Sequence, residues 1–303
     1  MRVIRDISAY APRPVVATLG FFDGVHLGHR YLIERLKAEA LGCGLPSLLI
    51  TFSPHPREVL RVDSAFRLLN TLDEKLALLN ALGIDTCVVL PFNRELADYS
   101  AYDFLKEIIA KHLMVKELLI GYDHRFGKYR TDGFEQYEKY GRELGVKVSR
   151  TERFVLDDVT VSASAIRQLL AEGNVARAAK MLGYPYSLEG VVVRNNQLGR
   201  TIGFPTANLQ LIDQKKMLPA AGVYAVSVEA RGKTYNGILN IGTRPTIGDG
   251  ALSVEAHILD FSEDIYGEKI RIHFHRYIRP ERKFNSLQDL KHQIEADIAD
   301  LLK

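Results

Sequence analysis

The sequence predicts an α/β domain with a parallel sheet, followed by an antiparallel β-barrel domain that carries a terminal helix. The chain has 303 residues, a length typical of two domains. Its first half alternates short apolar runs with helical patterns, whereas strand-like segments punctuated by Gly and Asp or Asn turns dominate the second half. This change of pattern near Gly183–Tyr186 predicts one domain over residues 1–183 and another over residues 184–303.

The elements of the first half follow from the spacing of its apolar residues. Leu32, Ile33, Leu36 and Ala40 share the 3.6-residue period of one helix face. Strands are expected at Val15–Leu19, Ser47–Phe52, Thr86–Pro91 and Glu117–Gly121, and further helices at Leu72–Leu82, Tyr102–His112, Ser164–Glu172 and Val175–Leu182. Strand–helix alternation of this kind favours a Rossmann-like parallel sheet covered by helices.

The elements of the second half are mainly strands, as in a small antiparallel barrel. They are expected at Leu188–Val193, Val223–Ala230, Tyr235–Ile241, Ser253–Asp260 and Lys269–Tyr277. Arg231-Gly232-Lys233 predicts a tight hairpin loop between two of them. Ser286 is placed to cap a final helix to about Leu302, with Asp289 at its third position. The apolar stripe of this helix is expected to be Leu287, Leu290, Ile294 and Ile298.

The composition, 47% hydrophobic and 25% charged, is that of an ordinary globular protein. A net charge of +3 falls short of a nucleic-acid footprint but suits local pockets for phosphates. Cys43 and Cys87 form no C-x-x-C pattern, which argues against a disulfide framework or zinc site. Met1–Tyr10 has no apolar signal core, and no apolar run approaches the roughly 20 residues of a membrane span. We expect a cytoplasmic monomer or weak homo-oligomer that binds neither nucleic acid nor membrane.

A glycine-rich segment joins the first long strand to the first long helix: Gly20-Phe21-Phe22-Asp23-Gly24-Val25-His26-Leu27-Gly28-His29. Glycines permit tight turns, and a helix N-terminus offers free N–H groups and a positive dipole end to phosphates. His26 and His29 are three residues apart, so both can face one ligand and donate to the phosphates of ATP. The alternative is a glycine-rich turn with two solvated histidines.

This segment resembles the adenylyltransferase signature of the bacterial bifunctional riboflavin kinase/FAD synthetase family. Four further segments resemble motifs of that family in the same order: Thr51–Pro56, Arg67–Lys75, Gly121–Gly127 and Ser162–Arg167. The resemblance implies an FMN adenylyltransferase (FAD synthetase) domain over residues 1–183. The last segment matches the second nucleotide-binding element of this transferase superfamily.

The resemblance also implies the roles of individual side chains in this domain. His29 and His26 would bind the triphosphate and act in catalysis. The ATP site would comprise Gly20, Phe21, Asp23, Gly24, His26, Gly28, His29, Ser162, Ser164 and Arg167, and a flavin or nucleotide pocket would comprise Asp123, Arg125, Phe126 and His55. Three other interpretations stay open: a satisfied core aspartate for Asp123, an ordinary helix cap for Ser162 or Ser164, and a rigid loop residue for His55.

The chain departs from the family pattern in a few places. His124 stands where the family usually carries Phe, and Ala163, Ser164 and Ala165 replace the usual Ser, Thr and Arg. Ser164 keeps a hydroxyl that can donate to phosphate. Asn195 occupies a turn where the family often has glycine, and Asn tolerates positive φ better than most residues. We expect these changes to affect transferase efficiency more than transferase identity.

The second half carries its own signature over Leu198–Leu209, which resembles the riboflavin kinase motif G-R-x-x-G-F-P-T-A-N. Asn240–Thr246 and Ile278–Phe284 match two further motifs of the same domain. Thr206 and Asn208 are two residues apart, so they can project to one side of an extended segment. Their neutral oxygens, together with nucleotide phosphates, suit Mg²⁺. Without the family match, a plain turn would be the better interpretation.

The resemblance implies a riboflavin kinase domain over residues 184–303. Glu255 would be the base that accepts the proton of the ribityl 5′-hydroxyl, with Asp260 or His257 as the next candidates. A polar residue on an exposed strand face is the alternative for Glu255. ATP and flavin would contact Gly199, Arg200, Gly203, Phe204, Pro205, Thr206, Asn208, Asn240, Arg244, Arg279 and Phe284, with Thr206 and Asn208 as the metal ligands.

The two signatures together predict flavin cofactor synthesis. Riboflavin and ATP would give FMN and ADP, and FMN and a second ATP would give FAD and pyrophosphate, with Mg²⁺ serving both steps. Rival hypotheses are another adenylyl- or cytidylyltransferase, a flavin-binding regulatory protein, and a single-activity riboflavin kinase with a weakened transferase half. The kinase signature argues against the first, and His124 and Ala163 keep the other two open.

Overall fold

A computed structural model describes residues 1–60, 66–128, 131–194, 199, 202–243 and 252–301, without the side chains of residues 243 and 252. The chain divides into two compact units, Met1–Ser162 and Ala163–Lys303. Each unit has its own sheet, so each is described by itself.

The first unit is built on a six-stranded parallel sheet, as the sequence predicts. Its strands are β1 (Arg2–Ile4), β2 (Val15–Leu19), β3 (Ser47–Ser53), β4 (Thr86–Pro91), β5 (Val115–Ile120) and β6 (Lys147–Arg150), in the order β1-β4-β3-β2-β5-β6. The four predicted strands are confirmed. β1 and β6 lack the long apolar runs that predicted the others, because they lie at the sheet edges.

Helices cover both faces of this sheet's core. They are a 3-10 turn (Ile7–Ala9), α1 (Leu27–Gly42), α2 (Pro56–Val59), α3 (Leu72–Ala81), α4 (Arg94–Asp98), α5 (Ala101–Asp103), a π-helix (Phe104–His112) and α6 (Phe134–Leu144). α1 buries the four apolar residues that predicted it. The helix predicted over Tyr102–His112 is present, but most of it has π-helical bonding. A short hairpin of β7 (Val155–Leu156) and β8 (Val159–Thr160) follows β6.

The order of the strands places a crevice at one end of this sheet. From β2 the chain builds β3 and β4 on one side, and it then returns to add β5 on the other side of β2. Ligands of open α/β sheets bind beyond the carboxyl ends of the strands at such a reversal point. The loops after β2, β3 and β5 therefore line the expected binding edge.

The second unit contains a closed six-stranded antiparallel barrel, which confirms the predicted class. Its strands are β9 (Ser187–Val193), β10 (Ala207–Leu211), β11 (Gly222–Ala230), β12 (Lys233–Thr243), β13 (Leu252–Ile258) and β14 (Lys269–Arg279), closed in the order β10-β13-β12-β11-β14-β9. Arg231 and Gly232 both have positive φ, 50° and 75°, which is the geometry of the predicted tight hairpin.

The terminal helix α9 spans Leu287–Leu301, and the Ser286 hydroxyl accepts the Asp289 N–H at 3.1 Å, as predicted for its cap. Its predicted apolar stripe is wrong in part. Leu287 is 52% exposed, whereas the residue that the helix buries is Asp297, at 3% exposure. The physical reason is an ion pair: Arg279 of β14 draws this carboxylate inward.

Two helices, α7 (Ala163–Ala171) and α8 (Val175–Leu182), belong to the barrel's compact unit. The Leu170 carbonyl accepts the Ala220 N–H at 2.9 Å. Gly173 has a φ of +77° and lies against the ring of Tyr277 and the hydroxyl of Tyr224, so a side chain there would be strained and crowded. The division between the compact units thus lies 21 residues before the domain boundary predicted between residues 183 and 184. That boundary separates the two predicted functions and stays a prediction.

Candidate functional site

The first candidate site lies at the binding edge of the parallel sheet. The Gly20–Val25 turn follows β2, His55 follows β3, and the Asp123–Phe126 segment follows β5. β2 is bonded to both β3 and β5. The sheet therefore brings together three segments that are far apart in the sequence, as expected for parallel strands whose carboxyl ends meet at one edge.

The glycine-rich turn is strained. Phe22, Gly24 and Val25 have φ values of 50°, 84° and 34°, and the Val25 N–H donates to the Phe22 carbonyl at 3.1 Å. Positive φ is costly for Val, because its branched Cβ crowds the backbone. Both Phe22 and Val25 are buried in the core beside α1, and this packing holds the turn in place.

The two histidines of this turn are packed together rather than solvated, so the solvated alternative is wrong. His26 is 6% exposed and caps α1, with its Nδ1 accepting the His29 N–H at 3.3 Å. The two imidazole rings stack at a centroid distance of 3.6 Å. The Nδ1 of His29 is buried and has no hydrogen-bond partner among the described residues.

Electrostatics keep His29 neutral. Burial first, and then the charges of His26, Lys75 and His124, hold the pKa of His29 well below its usual 6.5. At neutral pH its ring therefore carries one N–H donor and one acceptor. A neutral ring with an unsatisfied nitrogen at a helix N-terminus is suited to hydrogen bonding with a phosphate oxygen.

Asp23 has a structural role that the sequence did not reveal. Its carboxylate accepts the Leu69 N–H at 3.0 and 3.2 Å and the Asn70 N–H at 3.2 Å. These bonds tie the glycine-rich turn to the segment before α3. Asp23 therefore fixes the backbone of the turn through these bonds.

Lys75 is a buried cation that lies within a family motif and for which the sequence alone predicted no role. Its ammonium donates to the Phe21 carbonyl at 3.1 Å, the Thr51 hydroxyl at 3.0 Å and the Phe52 carbonyl at 3.4 Å. Burial lowers the pKa of Lys75. It therefore places a positive charge among the carbonyls at the carboxyl ends of β2 and β3. The capping box of Thr71 and Glu74 starts α3 at the point that brings Lys75 there.

Aromatic rings cover the floor of the crevice. The Phe21 ring lies 5.0 Å from His55 and 5.3 Å from Phe52. His55 stacks on Phe66 at 4.5 Å and caps α2 through its Nδ1. Since His55 both caps a helix and contacts Phe21, it is fixed in place at the wall of the site.

The segment after β5 is held in place at Phe126, whereas Asp123 and Arg125 are exposed to solvent. Phe126 stacks on Tyr137 at 4.2 Å, and its backbone both donates to and accepts from the Tyr137 hydroxyl. Asp123 and Arg125 are exposed, so the core-aspartate alternative for Asp123 is wrong. The His124 ring lies 6.1 Å from Phe126, and its charge acts on His29. The departure from Phe therefore keeps a ring beside Phe126 and places an ionisable group near His29.

The compact-unit boundary falls within the segment Ser162–Arg167, which is predicted to be the second nucleotide-binding element. A Cβ on Gly28 would lie 3.4 Å from the Val161 carbonyl, so the residue before Ser162 abuts the N-terminus of α1. Ser162 is half-buried and directly precedes α7. Ser164, which is exposed, and Arg167, which is half-buried, lie on α7 in the second unit.

The second candidate site is a row of residues around the barrel wall. Asn208 of β10 pairs with Glu255 of β13, which in turn pairs with Asn240 of β12. Residues directly opposite each other in a sheet project to the same face. The neighbours of Glu255 on its strand, Val254 and Ala256, are buried, which assigns the row to the outer face of the barrel. Although Asn208 lies on the outer face, it is only 5% exposed, so other residues shield this part of the barrel wall from solvent.

The glycines of the kinase signature shape the segment before β10. The Gly199 carbonyl accepts the N–H groups of Ile202 and Phe204, and a Cβ on Gly199 would collide with the Phe204 carbonyl. Gly203 has a φ of +88°. Both positions therefore require glycine. Arg200 and Arg244, predicted to contact ATP or flavin, and the Asn195 departure lie outside the described residues.

The tail motif, Ile278–Phe284, lies beyond Asn240, at the end of the row opposite to Asn208. Arg279 donates through Nε and Nη2 to Asp297 at 2.8–3.0 Å and lies 5.8 Å from the Phe284 ring. The Glu281 carboxylate abuts Gly242, where a Cβ would collide with its Oε1. Arg279 pairs in register with Val223, the partner of Asn240. The sequence missed the Asp297 carboxylate because nothing in a helical pattern marks an acidic residue as buried.

The described residues also limit the kind of site. They contain no group of three or more His, Cys, Asp or Glu side chains placed to hold a metal ion. Within the same ranges, none of the helices has the length and apolar character to cross a membrane. Asn208 lies in the Glu255 row itself, and Thr206 precedes it by two residues.

Comparisons with known proteins assign each half of the chain. Residues 8–165 match the family model described as FAD synthetase, and residues 182–303 match the one described as riboflavin kinase. The chain is 41% identical to the bifunctional riboflavin kinase/FMN adenylyltransferase of Escherichia coli (strain K12) over 98% of this chain and 96% of that one. It is 37% identical to the protein of that name from Bacillus subtilis (strain 168), over 95% and 92%.

A solved structure covers nearly the whole chain as well. It is a Streptococcus pneumoniae protein described as a macrolide-efflux protein. It matches with a TM-score of 0.89 and 31% identity, over 98% of this chain and 97% of that one. Both units of the chain therefore have a close counterpart among solved structures.

Proposed function

The chain belongs to the family of bifunctional riboflavin kinase/FMN adenylyltransferases, and from that premise we propose which residues perform its two reactions. The protein phosphorylates riboflavin to FMN with ATP, and it adenylylates FMN to FAD with release of pyrophosphate. The observation that carries the residue assignment is the row Asn208–Glu255–Asn240, which places residues of two separate motifs on either side of Glu255 on one barrel face.

In the kinase reaction, Glu255 acts as the general base. It accepts the proton of the ribityl 5′-hydroxyl while that oxygen forms its bond to the γ-phosphorus of ATP and the bond to ADP breaks. Asn208 and Asn240, on either side of Glu255, hold substrate oxygens by hydrogen bonds. The register of β10, β13 and β12 fixes all three side chains, so positioning rather than flexibility governs this step.

The donor set of the kinase site fits Mg²⁺. The Thr206 hydroxyl and the Asn208 amide supply neutral oxygens, and the phosphates of ATP supply the rest, in keeping with the few protein ligands that Mg²⁺ needs. When bound there, Mg²⁺ would shield the charge of the transferred phosphoryl group. Thr206 and Asn208 are the residues that we propose hold it.

In the transferase reaction, the phosphate oxygen of FMN attacks the α-phosphorus of ATP and pyrophosphate leaves. The attacking phosphate is already anionic, so this step needs no general base. The N-terminus of α1 and the rings of His26 and His29 donate to the triphosphate as charge grows on the leaving group. Asp123 and Arg125, exposed at the mouth of the crevice, contact the flavin or the nucleotide, and Ser162 adds a hydroxyl donor.

Paired variants of the full chain test this division. We expect Glu255→Gln to slow single-turnover FMN formation by about 10²–10⁴-fold, with flavin binding by fluorescence nearly unchanged and with FAD formation from supplied FMN intact. His29→Ala should do the reverse, reducing FAD formation by about 10²–10³-fold while FMN formation persists. His273→Ala, on the outer face of β14, is a matched control that should affect neither reaction.

Two results would overturn the assignments. Normal FMN formation by the Glu255→Gln variant would transfer the base role to Asp260, which is exposed just beyond β13. Normal FAD formation by the His29→Ala variant would remove the histidine turn from the transferase site. FMN that accumulates in the unaltered protein without any FAD would favour the single-activity kinase alternative.

We also propose that the protein works in the cytoplasm, as a monomer or weak homo-oligomer, without nucleic-acid or membrane partners. Cys43 and Cys87 are both free thiols, which suits a reducing compartment. We do not propose an efflux role from the likeness to the Streptococcus protein, because two enzyme family models account for most of this chain.

A further inference from the structure

His257 lies on the same barrel face as the kinase row. It follows Glu255 by two residues on β13, and its partner across the sheet, Ile238, lies two residues before Asn240. Residues two apart on a strand share a face. The imidazole therefore projects from the same outer wall as Glu255, toward the segment that precedes β10.

The backbone ladder between β10 and β13 ends close to this histidine. The last register pair is Ala207 with Ala256. One residue further, Thr206 would face His257, but the preceding residue is Pro205, which has no N–H to donate. The ladder alone therefore does not hold the Phe204–Thr206 segment against β13.

The His257 side chain supplies the missing link. Its Nδ1 lies 2.8 Å from the Pro205 carbonyl oxygen. A carbonyl oxygen only accepts, so Nδ1 carries the hydrogen and donates. The same ring meets Phe204 edge-on at a centroid distance of 5.4 Å. One side chain thus makes a polar and an apolar contact with two consecutive residues of the kinase signature.

We propose that His257 is a positioning residue of the kinase site: its bond to the Pro205 carbonyl holds the Phe204–Thr206 segment against β13 and keeps Thr206 beside Asn208 and Glu255. This inference rests on the proposed kinase site and adds to it a residue with no catalytic proton transfer. Since Nδ1 donates in both the neutral and the protonated ring, the contact does not depend on the charge of His257. A base role for His257 would depend on that charge.

Three variants of the full chain separate the hydrogen bond from the ring contact. His257→Phe keeps a ring beside Phe204 and removes the donor. His257→Asn places an amide N–H near the position of Nδ1 and removes the ring. His273→Phe makes the same exchange as the first variant on β14, where the native ring contacts Glu229. FAD formation from supplied FMN is an internal control, because the transferase turn lies in the other compact unit.

We expect His257→Phe to raise the KM for MgATP and the Mg²⁺ concentration for half-maximal FMN formation by about 3- to 10-fold, the effect of one lost hydrogen bond. kcat should fall less than KM rises. His257→Asn should restore both constants to within about twofold, and the pH dependence of kcat should be the same as in the unaltered protein. His273→Phe should change none of these values.

The proposal is overturned if the His257→Phe variant keeps an unchanged KM for MgATP, or if the His257→Asn variant loses kcat together with the acid limb of its pH profile, which would indicate a base. If the Phe variant fails to fold, an unchanged KM for MgATP in the His257→Ala variant overturns the proposal equally. A raised KM in the His257→Phe variant alongside normal turnover in the Glu255→Gln variant would support the tether and reject only the assignment of the base.

Discussion

The two units of this protein build their candidate phosphate sites by different physical means. In the first unit, the site residues lie on turns after parallel strands, and buried polar contacts such as Asp23 to the Leu69 N–H and Lys75 to the Phe21 carbonyl fix those turns. In the second unit, the register of adjacent strands fixes Asn208 and Glu255 directly. The conformation of a turn depends on contacts with residues distant in the sequence, whereas the position of a strand residue is fixed by the backbone hydrogen bonds to its neighbouring strands. The transferase site should therefore be the more sensitive to buried substitutions outside its own motif.

The largest expected effect concerns where the barrel unit begins. A fragment over residues 163–303 keeps α7 and α8, whereas a fragment over residues 184–303 removes the buried apolar residues Ile166, Leu169, Leu170, Val175, Ala178, Met181 and Leu182. Burial of a large apolar side chain stabilises by about 1.5–3 kcal/mol, so we expect the shorter fragment to be less stable by at least about 5 kcal/mol. Urea denaturation and riboflavin phosphorylation of both fragments measure the difference. Equal stability would favour the boundary predicted from the sequence.

Lys75→Met tests whether the transferase site depends on buried contacts. The change leaves the Phe21 and Phe52 carbonyls without their ammonium donor, and an unpaired buried polar group costs about 1–3 kcal/mol. We expect FAD formation to fall by about 10- to 100-fold, with FMN formation unchanged. Lys37→Met on α1 removes a partly exposed lysine paired with Glu34 and serves as the control. Equal losses of both activities would indicate general unfolding instead.

Asp297→Asn tests whether the barrel's tail is held by the buried carboxylate of α9. The substitution removes the charge that pairs with Arg279, and a hydrogen bond to a charged group contributes about 1.5–3 kcal/mol. We expect a loss of stability of about that size and weaker flavin binding. Asp300→Asn breaks the more exposed pair with Arg276 and should cost less than about 1 kcal/mol. Similar losses in the two variants, by thermal unfolding, would contradict a special role for Asp297.

His124→Phe should have the smallest effect. Removing a charge that disfavours protonation of His29 should let the pKa of His29 rise toward 6.5. Because that pKa is depressed in the folded state, the unfolded chain binds the proton first, and stability falls as the pH drops below 6.5. A higher folded-state pKa shortens this window, so the variant should lose less stability between pH 7.5 and pH 5.5. Denaturant titrations at the two pH values check this, and FAD formation at pH 7.5 should be retained or improved.

Much of this architecture was predictable because it is local. Strand β2 and helix α8 occupy the predicted residues, Val15–Leu19 and Val175–Leu182, since runs of apolar residues and helical periodicity report burial directly. The Arg231–Gly232 turn was predictable for the same reason, because positive φ is a property of the turn residues themselves. The signatures around His29 and Asn208 are likewise short, continuous segments, so the sequence alone predicts the two reactions from them.

Only the tertiary structure decided which further side chains contact the candidate sites. Lys75 reaches the carbonyl ends of β2 and β3, Asp297 is buried beneath Arg279, and His257 holds the Pro205 carbonyl across 52 residues of sequence. Each of these contacts joins elements that are distant in the chain. A sequence pattern records the period of one element, but it does not record which polar side chain meets a carbonyl or guanidinium of another. That pairing is set by the packing of helices on the sheet and by the closure of the barrel.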